Sequence, residues 1–227
     1  MPRLLRADEY NDMSFLEHRS ETVCFTGHRT EKFLDAPLHS DAVTLNSVKT
    51  LLTMMTADAY DRGARYFITG MARGVDLWAG ELLLYMKRFL PDVHIIAAVP
   101  HAGHERSIGG SDRELMYSIA EAADAVVCVC DRYNSRCFLL RNDYMLKASS
   151  AVLGVIHENA GGTAYTLNNA VKYCVQRRVV DVRNYMRMIP LLDRFPECYR
   201  MYMPSQRYAF WEKNPRVLYQ CGLFSED

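Results

Sequence analysis

Short apolar runs alternate along this chain with longer stretches whose apolar residues recur every three to four positions. The runs at 22–26, 66–69, 93–99, 125–130, 151–156 and 179–182 are nearly continuous, the pattern of strands buried on both faces. Between them, helical spacing predicts helices over 40–62, 74–89, 111–123, 135–148 and 163–176. Punctuation supports these bounds. Gly63 follows the first helix, Pro91 cuts off the second, Pro100 ends the third run, and Ser111-Asp112-Arg113-Glu114 has the form of a capping box. Strands and helices in this alternation predict a Rossmann-like α/β fold, doubly wound, with a mainly parallel sheet covered by helices on both faces.

In an open sheet of this kind ligands bind outside the carboxyl ends of the strands, so the loops that follow each strand are where chemistry is expected. After the second run comes Gly70-Met71-Ala72-Arg73-Gly74-Val75-Asp76, a turn with two glycines at the start of a helix. Gly70 and Gly74 can take positive φ and admit a ligand close to the backbone, while the helix start offers unpaired N–H groups and a positive dipole end suited to phosphate. The same turn can equally serve only to reverse the chain. Asp76 either complements the dipole or accepts a ribose hydroxyl, and Trp78 could stack on a base, although its place among apolar helix positions favours the core.

Other loops carry related features. Thr26-Gly27-His28-Arg29 follows the first strand: Gly27 permits close approach, Arg29 presents a planar fork of donors for phosphate oxygens, and His28 suits a ribose or phosphate, with loop packing as the alternative for both. Tyr133 and Arg136 could bracket a base and a phosphate, with Arg141 and Asn142 one or two turns along the next helix. Gly161-Gly162-Thr163 offers a second amide-lined turn, where Thr163 either caps the helix or touches an anion. His101 and His104 have no cysteine or carboxylate cluster beside them in sequence, so no metal site is expected.

Composition narrows the classes. The 227 residues are 49% apolar, enough for a full core without staples. Lys plus Arg balances Asp plus Glu, 27 against 27, so no global field draws the protein to nucleic acid or an anionic membrane. Seven cysteines without zinc-type spacing and no apolar signal-peptide core point to a reducing cytoplasm. No apolar run reaches the length of a membrane span.

The 26–29 loop, the 69–81 segment, the 133–142 stretch and Gly161-Gly162-Thr163-Ala164-Tyr165 together resemble the YpsA-like branch of the SLOG superfamily, over about residues 20 to 180. Gly70 to Asp76 is similar to the Gly-x-Ala-x-Gly-Ile-Asp segment of DprA proteins, and Gly161-Gly162-Thr163 to the Gly-Gly turn of LOG enzymes. The resemblance implies a Rossmann-like fold whose loops hold a nucleotide or nucleotide-derived ligand such as ADP-ribose, NAD or a nucleoside phosphate. It also implies where an enzyme would differ. A LOG-type hydrolase uses a glutamate on the helix after the Gly-Gly turn, and here Leu167, Asn168 and Asn169 stand there. Amide side chains cannot act as general acid or base, so that mechanism is not supported in its familiar form.

Three readings follow: a nucleotide-binding protein acting as a sensor or regulatory module, an N-glycosidic hydrolase of nucleotides, and a single-stranded DNA binder of the DprA kind. The absence of a basic run with interleaved aromatics disfavours the last. The expected organisation is an amino-terminal arm over 1–20, irregular or a short helix, a Rossmann domain over 21–182 and an aromatic-rich extension over 183–227. The extension, with Tyr199, Tyr202, Tyr208, Phe210, Trp211, Tyr219 and Phe224, is expected to pack on the domain or on a twin subunit, which predicts a homodimer.

Overall fold

The computed structural model describes residues 4–6, 17–34, 41–158 and 160–186. The expected extension therefore lies outside the described residues from 187 onward, as does most of the arm. The sheet is built from β1 (Leu4–Arg6), β2 (Thr22–Gly27), β3 (Tyr66–Thr69), β4 (His94–Val99), β5 (Ala125–Cys128), β6 (Ala151–Ile156) and β7 (Gln176–Asp181). Its order is β1-β5-β4-β3-β2-β6-β7, and every neighbouring pair is parallel. The helices are α1 (Thr30–Leu34), α2 (Asp41–Asp61), α3 (Val75–Lys87), α4 (Gly110–Ala122), α5 (Cys137–Lys147), α6 (Gly161–Lys172) and α7 (Val182–Met186).

Alternation along the strands sorts the apolar side chains into two cores. Val23, Phe25, Phe67, Ile95 and Ala97 face one way and meet Leu51 and Leu52 of α2, Leu77 and Leu83 of α3, and Met116 and Ile119 of α4. Cys24, Ile68, Ile96, Ala98 and Val152 face the other way and meet Met145 and Leu146 of α5 and Leu167 and Ala170 of α6. Burial pushes the Cys24 thiol up to about 12, so it behaves as a small apolar side chain. Trp78 is partly buried against Phe33, ring centroids 6.1 Å apart, as its place among apolar positions predicts.

The connection order sets the topological switch point of the sheet. From β2 the chain steps outward through β3 and β4 to β5, and α5 then carries it back to β6 on the other side of β2. The switch point lies between β2 and β6, the kind of place where open α/β sheets bind ligands.

Several bounds differ from expectation, each for a tertiary reason. Leu4–Arg6, expected as irregular arm or helix, pairs with Val126, Val127 and Cys128 at the sheet edge. The long loop after β2 holds the short helix α1. The capping box does not form: Gly110 takes φ +59, the helix starts one residue early, and its N-cap is Gly109 with no side-chain bond. The expected helix over 163–176 ends at Lys172, because Cys174 turns left-handed at φ +54 and Gln176 pairs with Ala151 to open β7. The run over 125–130 is strand only to Cys128, opposite Val99, although the Val129 and Cys130 N–H groups still donate to the Val99 and Pro100 carbonyls. The helix over 135–148 begins at Cys137 after Asn134 Oδ1 accepts the Arg136 N–H at 2.9 Å.

Candidate functional site

All five loops singled out by the sequence lie at the carboxyl edge, but they divide into a closed part and an open part. The closed part is the turn from Gly70 to Asp76. Asp76 is buried at the start of α3 and pairs with Arg141 of α5, Nη1 to Oδ2 3.1 Å, and the same Nη1 donates to the Gly70 carbonyl. Burial pushes the Asp76 carboxyl up, while the Arg141 guanidinium, the Ala72 N–H and the more distant Arg29 charge favour its ionised form. The first α3 amide is also engaged: the Val75 N–H donates to the His28 carbonyl at 3.3 Å. Anion-binding capacity at this helix start is largely used by the protein itself.

The glycines here serve those internal contacts. A Cβ on Gly70 would lie 2.6 Å from Asp76 Oδ2, and one on Gly74, whose φ is +85, would lie 2.7 Å from Arg29 Cα. A Cβ on Gly27 would stand 2.7 Å from the Val155 carbonyl oxygen. The expected positive φ at Gly70 is instead found at its neighbour Met71, at +58, a side chain wholly buried in the core. Gly70 is glycine because Arg141 passes over it. Arg73, between them, is a strut: it pairs with Glu31 of α1 at 2.7 Å and Asp112 of α4 at 2.8 Å.

His28 is likewise committed to the protein. Its Nε2 lies 2.8 Å from the Glu158 carbonyl, which can only accept, so the proton sits there; Nδ1 then accepts the Thr163 hydroxyl at 3.4 Å. Desolvation lowers the His28 pKa, in keeping with a neutral ring. Loop packing, the alternative weighed for His28, is what its geometry displays. Thr163 is buried and turned to this ring, and the α6 N-cap is Ala160 with no side-chain bond, so Thr163 does not cap the helix. Thr26, also buried, is the penultimate residue of β2.

The open part lies beside it. Gly161, at φ +64, and Gly162 are exposed at the first turn of α6, and a Cβ on either meets nothing within 4 Å among the described residues. Arg29 is exposed, and among the described residues no carboxylate lies within ion-pair distance of it. His28 touches the first turn of α6 and Arg29 borders the first turn of α3, so the loop after β2 stands between two helix N-termini. Arg136 sits at the N-cap of α5, exposed, and its charge is felt by Tyr165 of α6.

Tyr133 belongs to a separate aromatic group. It is 67% exposed and meets His101 edge to face at 5.4 Å, while His101 and His104 each meet Phe138. His104 is buried facing the Met71 backbone and Arg141, and its pKa is lowered to about 4 by desolvation and then by the Arg141 charge. Asn142 is half-buried on α5. Among the described residues no group of three or more His, Cys, Asp and Glu side chains is arranged to hold a metal ion.

With this geometry in view, residues 23–184, from the second residue of β2 into α7, match the YspA SLOG family. The chain belongs to that family. Among its relatives, a UPF0398 protein of Halalkalibacterium halodurans is 26% identical over 125 residues, 54% of this chain and 66% of that one. UPF0398 proteins of Bacillus cereus and Bacillus thuringiensis are 27% identical over 136 residues and 29% over 126, covering 74% and 68% of their own lengths. The chain thus spans about two thirds of the Halalkalibacterium protein. A solved structure of DNA processing protein A (DprA) from Streptococcus pneumoniae is similar at 12% identity and a TM-score of 0.47, over 80% of this chain and 58% of that one.

Arg141 is the residue at this edge whose part sequence reading missed. It is 5% exposed and reaches across 71 residues of sequence to Gly70. A signal was present. Cys137, Arg141 and Met145 fall four apart, and the outer two are buried, so the arginine sits on the apolar stripe of α5. A charge in that position needs a buried partner, and Asp76 is the acid available to it.

Proposed function

We propose that this protein binds a nucleotide or nucleotide-derived ligand, such as a nucleoside phosphate, ADP-ribose or NAD, at the carboxyl edge beside the β2/β6 switch point. The observation that carries the reading is the placing of Arg29. It is an exposed guanidinium without a carboxylate partner among the described residues, on a loop whose neighbouring residue touches the open first turn of α6. A planar fork of donors beside free helix amides suits phosphate oxygens. Asp76 and Arg141 then act as the fixed floor of the site, and Tyr133 as an exposed ring on which a base can stack.

Binding without cleavage, as in a sensor or regulatory module, is the form this reading takes. The helix after Gly161-Gly162 brings no carboxylate: Leu167 is buried in the core and Asn169 donates to the Tyr165 carbonyl at 2.9 Å. The expected setting is a cytoplasmic homodimer; a strictly monomeric mass by light scattering across the micromolar range removes the dimer.

A thermal-shift panel of AMP, ADP-ribose, NAD, adenosine and a single-stranded oligonucleotide tests the reading, with chromatography of each incubated ligand. A site-specific ligand at a hundred times its Kd adds about 3 kcal/mol of stability, a readily measured shift. Stabilisation by phosphorylated nucleotides, recovered intact, is expected. Recovery of free base would favour the glycosidase, and stabilisation by the oligonucleotide alone would favour DNA binding. No shift with any nucleotide would remove the proposal.

A further inference from the structure

The loop after β6 is fastened to the loop after β2 at the switch-point crevice, and the fastening is electrically uneven. Lys32 of α1 donates to the Glu158 carboxylate across 126 residues of sequence. His28 holds the Glu158 carbonyl with Nε2–H at 2.8 Å, and Thr163 donates to the other nitrogen of the same ring at 3.4 Å. The ring bonds are shielded, whereas the ion pair is about half exposed, 49% at Lys32 and 45% at Glu158.

Glu158 stands among positive groups. Lys32, by its hydrogen bond and its charge, holds the Glu158 carboxyl below the ordinary range, and the Glu158 charge is felt in turn by Arg183 of α7. Its backbone is fixed by His28, so the carboxylate can leave Lys32 without the loop being released. Such an exposed pair contributes little to stability, and exchanging one partner for another anion costs little. A phosphate monoester carries more charge than a carboxylate and offers more acceptor oxygens to a lysine, so it competes well for the same ammonium.

We propose that Glu158 is an internal anion that occupies Lys32 in the ligand-free protein, and that Lys32 passes to the ligand's phosphate when one binds in this crevice. The inference rests on the nucleotide-binding reading above and adds a cation, Lys32, and a competitor, Glu158, to that site. The two halves of one ion pair then act in opposite senses on affinity. Glu158 opposes the ligand both by holding Lys32 and by repelling the phosphate; Lys32 attracts it. A pair whose task was only to fasten two loops would have no such asymmetry, since removing either half breaks the same contact.

The test is calorimetric titration of AMP, with adenosine as the uncharged control, into the full chain and its Glu158→Gln and Lys32→Met variants at low salt. Tighter binding of AMP by Glu158→Gln and weaker binding by Lys32→Met are expected, each by roughly tenfold, the scale of one charge-assisted contact. Adenosine affinity should change little in either variant, and added salt should narrow the gap. AMP shifts of the same sign in both variants, or none in either, overturn this inference while leaving the nucleotide reading in place. Absence of AMP binding in all three proteins, with no phosphorylated ligand active in the thermal panel, overturns both.

Discussion

Two glycine-bearing strand-to-helix turns stand side by side at the carboxyl edge, and they use their glycines for different ends. At the α3 turn, Gly70 and Gly74 admit neighbouring protein: Arg141 passes over one, and the His28–Arg29 backbone lies against the other. Its helix start is matched by Asp76 and the His28 carbonyl. At the α6 turn nothing among the described residues lies over Gly161 or Gly162, and the first turn carries no acidic residue. One turn is a packed joint; the other faces outward with its dipole unanswered by a carboxylate of that first turn. A glycine motif alone does not separate these uses, because the same residues appear in both turns. Only what occupies the space does.

The closed turn should break hard. Arg141→Leu leaves Asp76 buried without its counter-charge, and a loss of about 3–5 kcal/mol is expected in urea unfolding, with Asp76→Asn somewhat milder. The double variant should lose less than the sum of the singles, because no lone charge remains. Additive losses would show that the two side chains do not form the joint described.

Gly74→Ala should follow at roughly 2–4 kcal/mol, combining a left-handed φ with a collision against fixed backbone. Gly162→Ala, in open space at a helix start, should change stability by no more than about 0.5 kcal/mol. Equal effects at the two sites would erase the distinction between closed and open turns.

A pH series sharpens the same contrast. The His104 pKa is about 4 in the fold against about 6.5 unfolded, so between those values the unfolded chain binds the extra proton. The stability from its neutral form is complete above about pH 6.5 and is lost as pH falls toward 4, by on the order of 2–3 kcal/mol. His104→Phe should flatten that slope, because a ring among His101 and Phe138 is kept while the titration is removed. An unchanged slope would place the acid sensitivity elsewhere.

Much of this was legible in the residues because it is local. Alternation of apolar runs and helical spacing yields the parallel sheet, and strand ends identify the edge where the loops gather. What escaped is non-local. The edge strand Leu4–Arg6 is specified by its partner β5 rather than by its own short run. β7 begins with Gln176, Arg177 and Arg178, polar residues that an exposed edge strand tolerates and a buried one does not. The Arg141–Asp76 pair spans 65 residues, and only the apolar spacing around Arg141 announces it. The place of His28 after a strand suits either a ligand contact or loop packing; the partners of its two ring nitrogens, Glu158 and Thr163, are not adjacent in sequence and could not be read from it.

The central claim is that phosphate is recognised at this edge through Arg29, and one comparison tests it most directly: calorimetric affinities of AMP and adenosine for the wild-type chain and for Arg29→Ala. One lost charge-assisted contact corresponds to about 1.5–3 kcal/mol, so AMP affinity should fall by roughly ten- to a hundredfold while adenosine affinity is nearly unchanged. Equal losses for both ligands would take Arg29 out of the phosphate role and contradict the account.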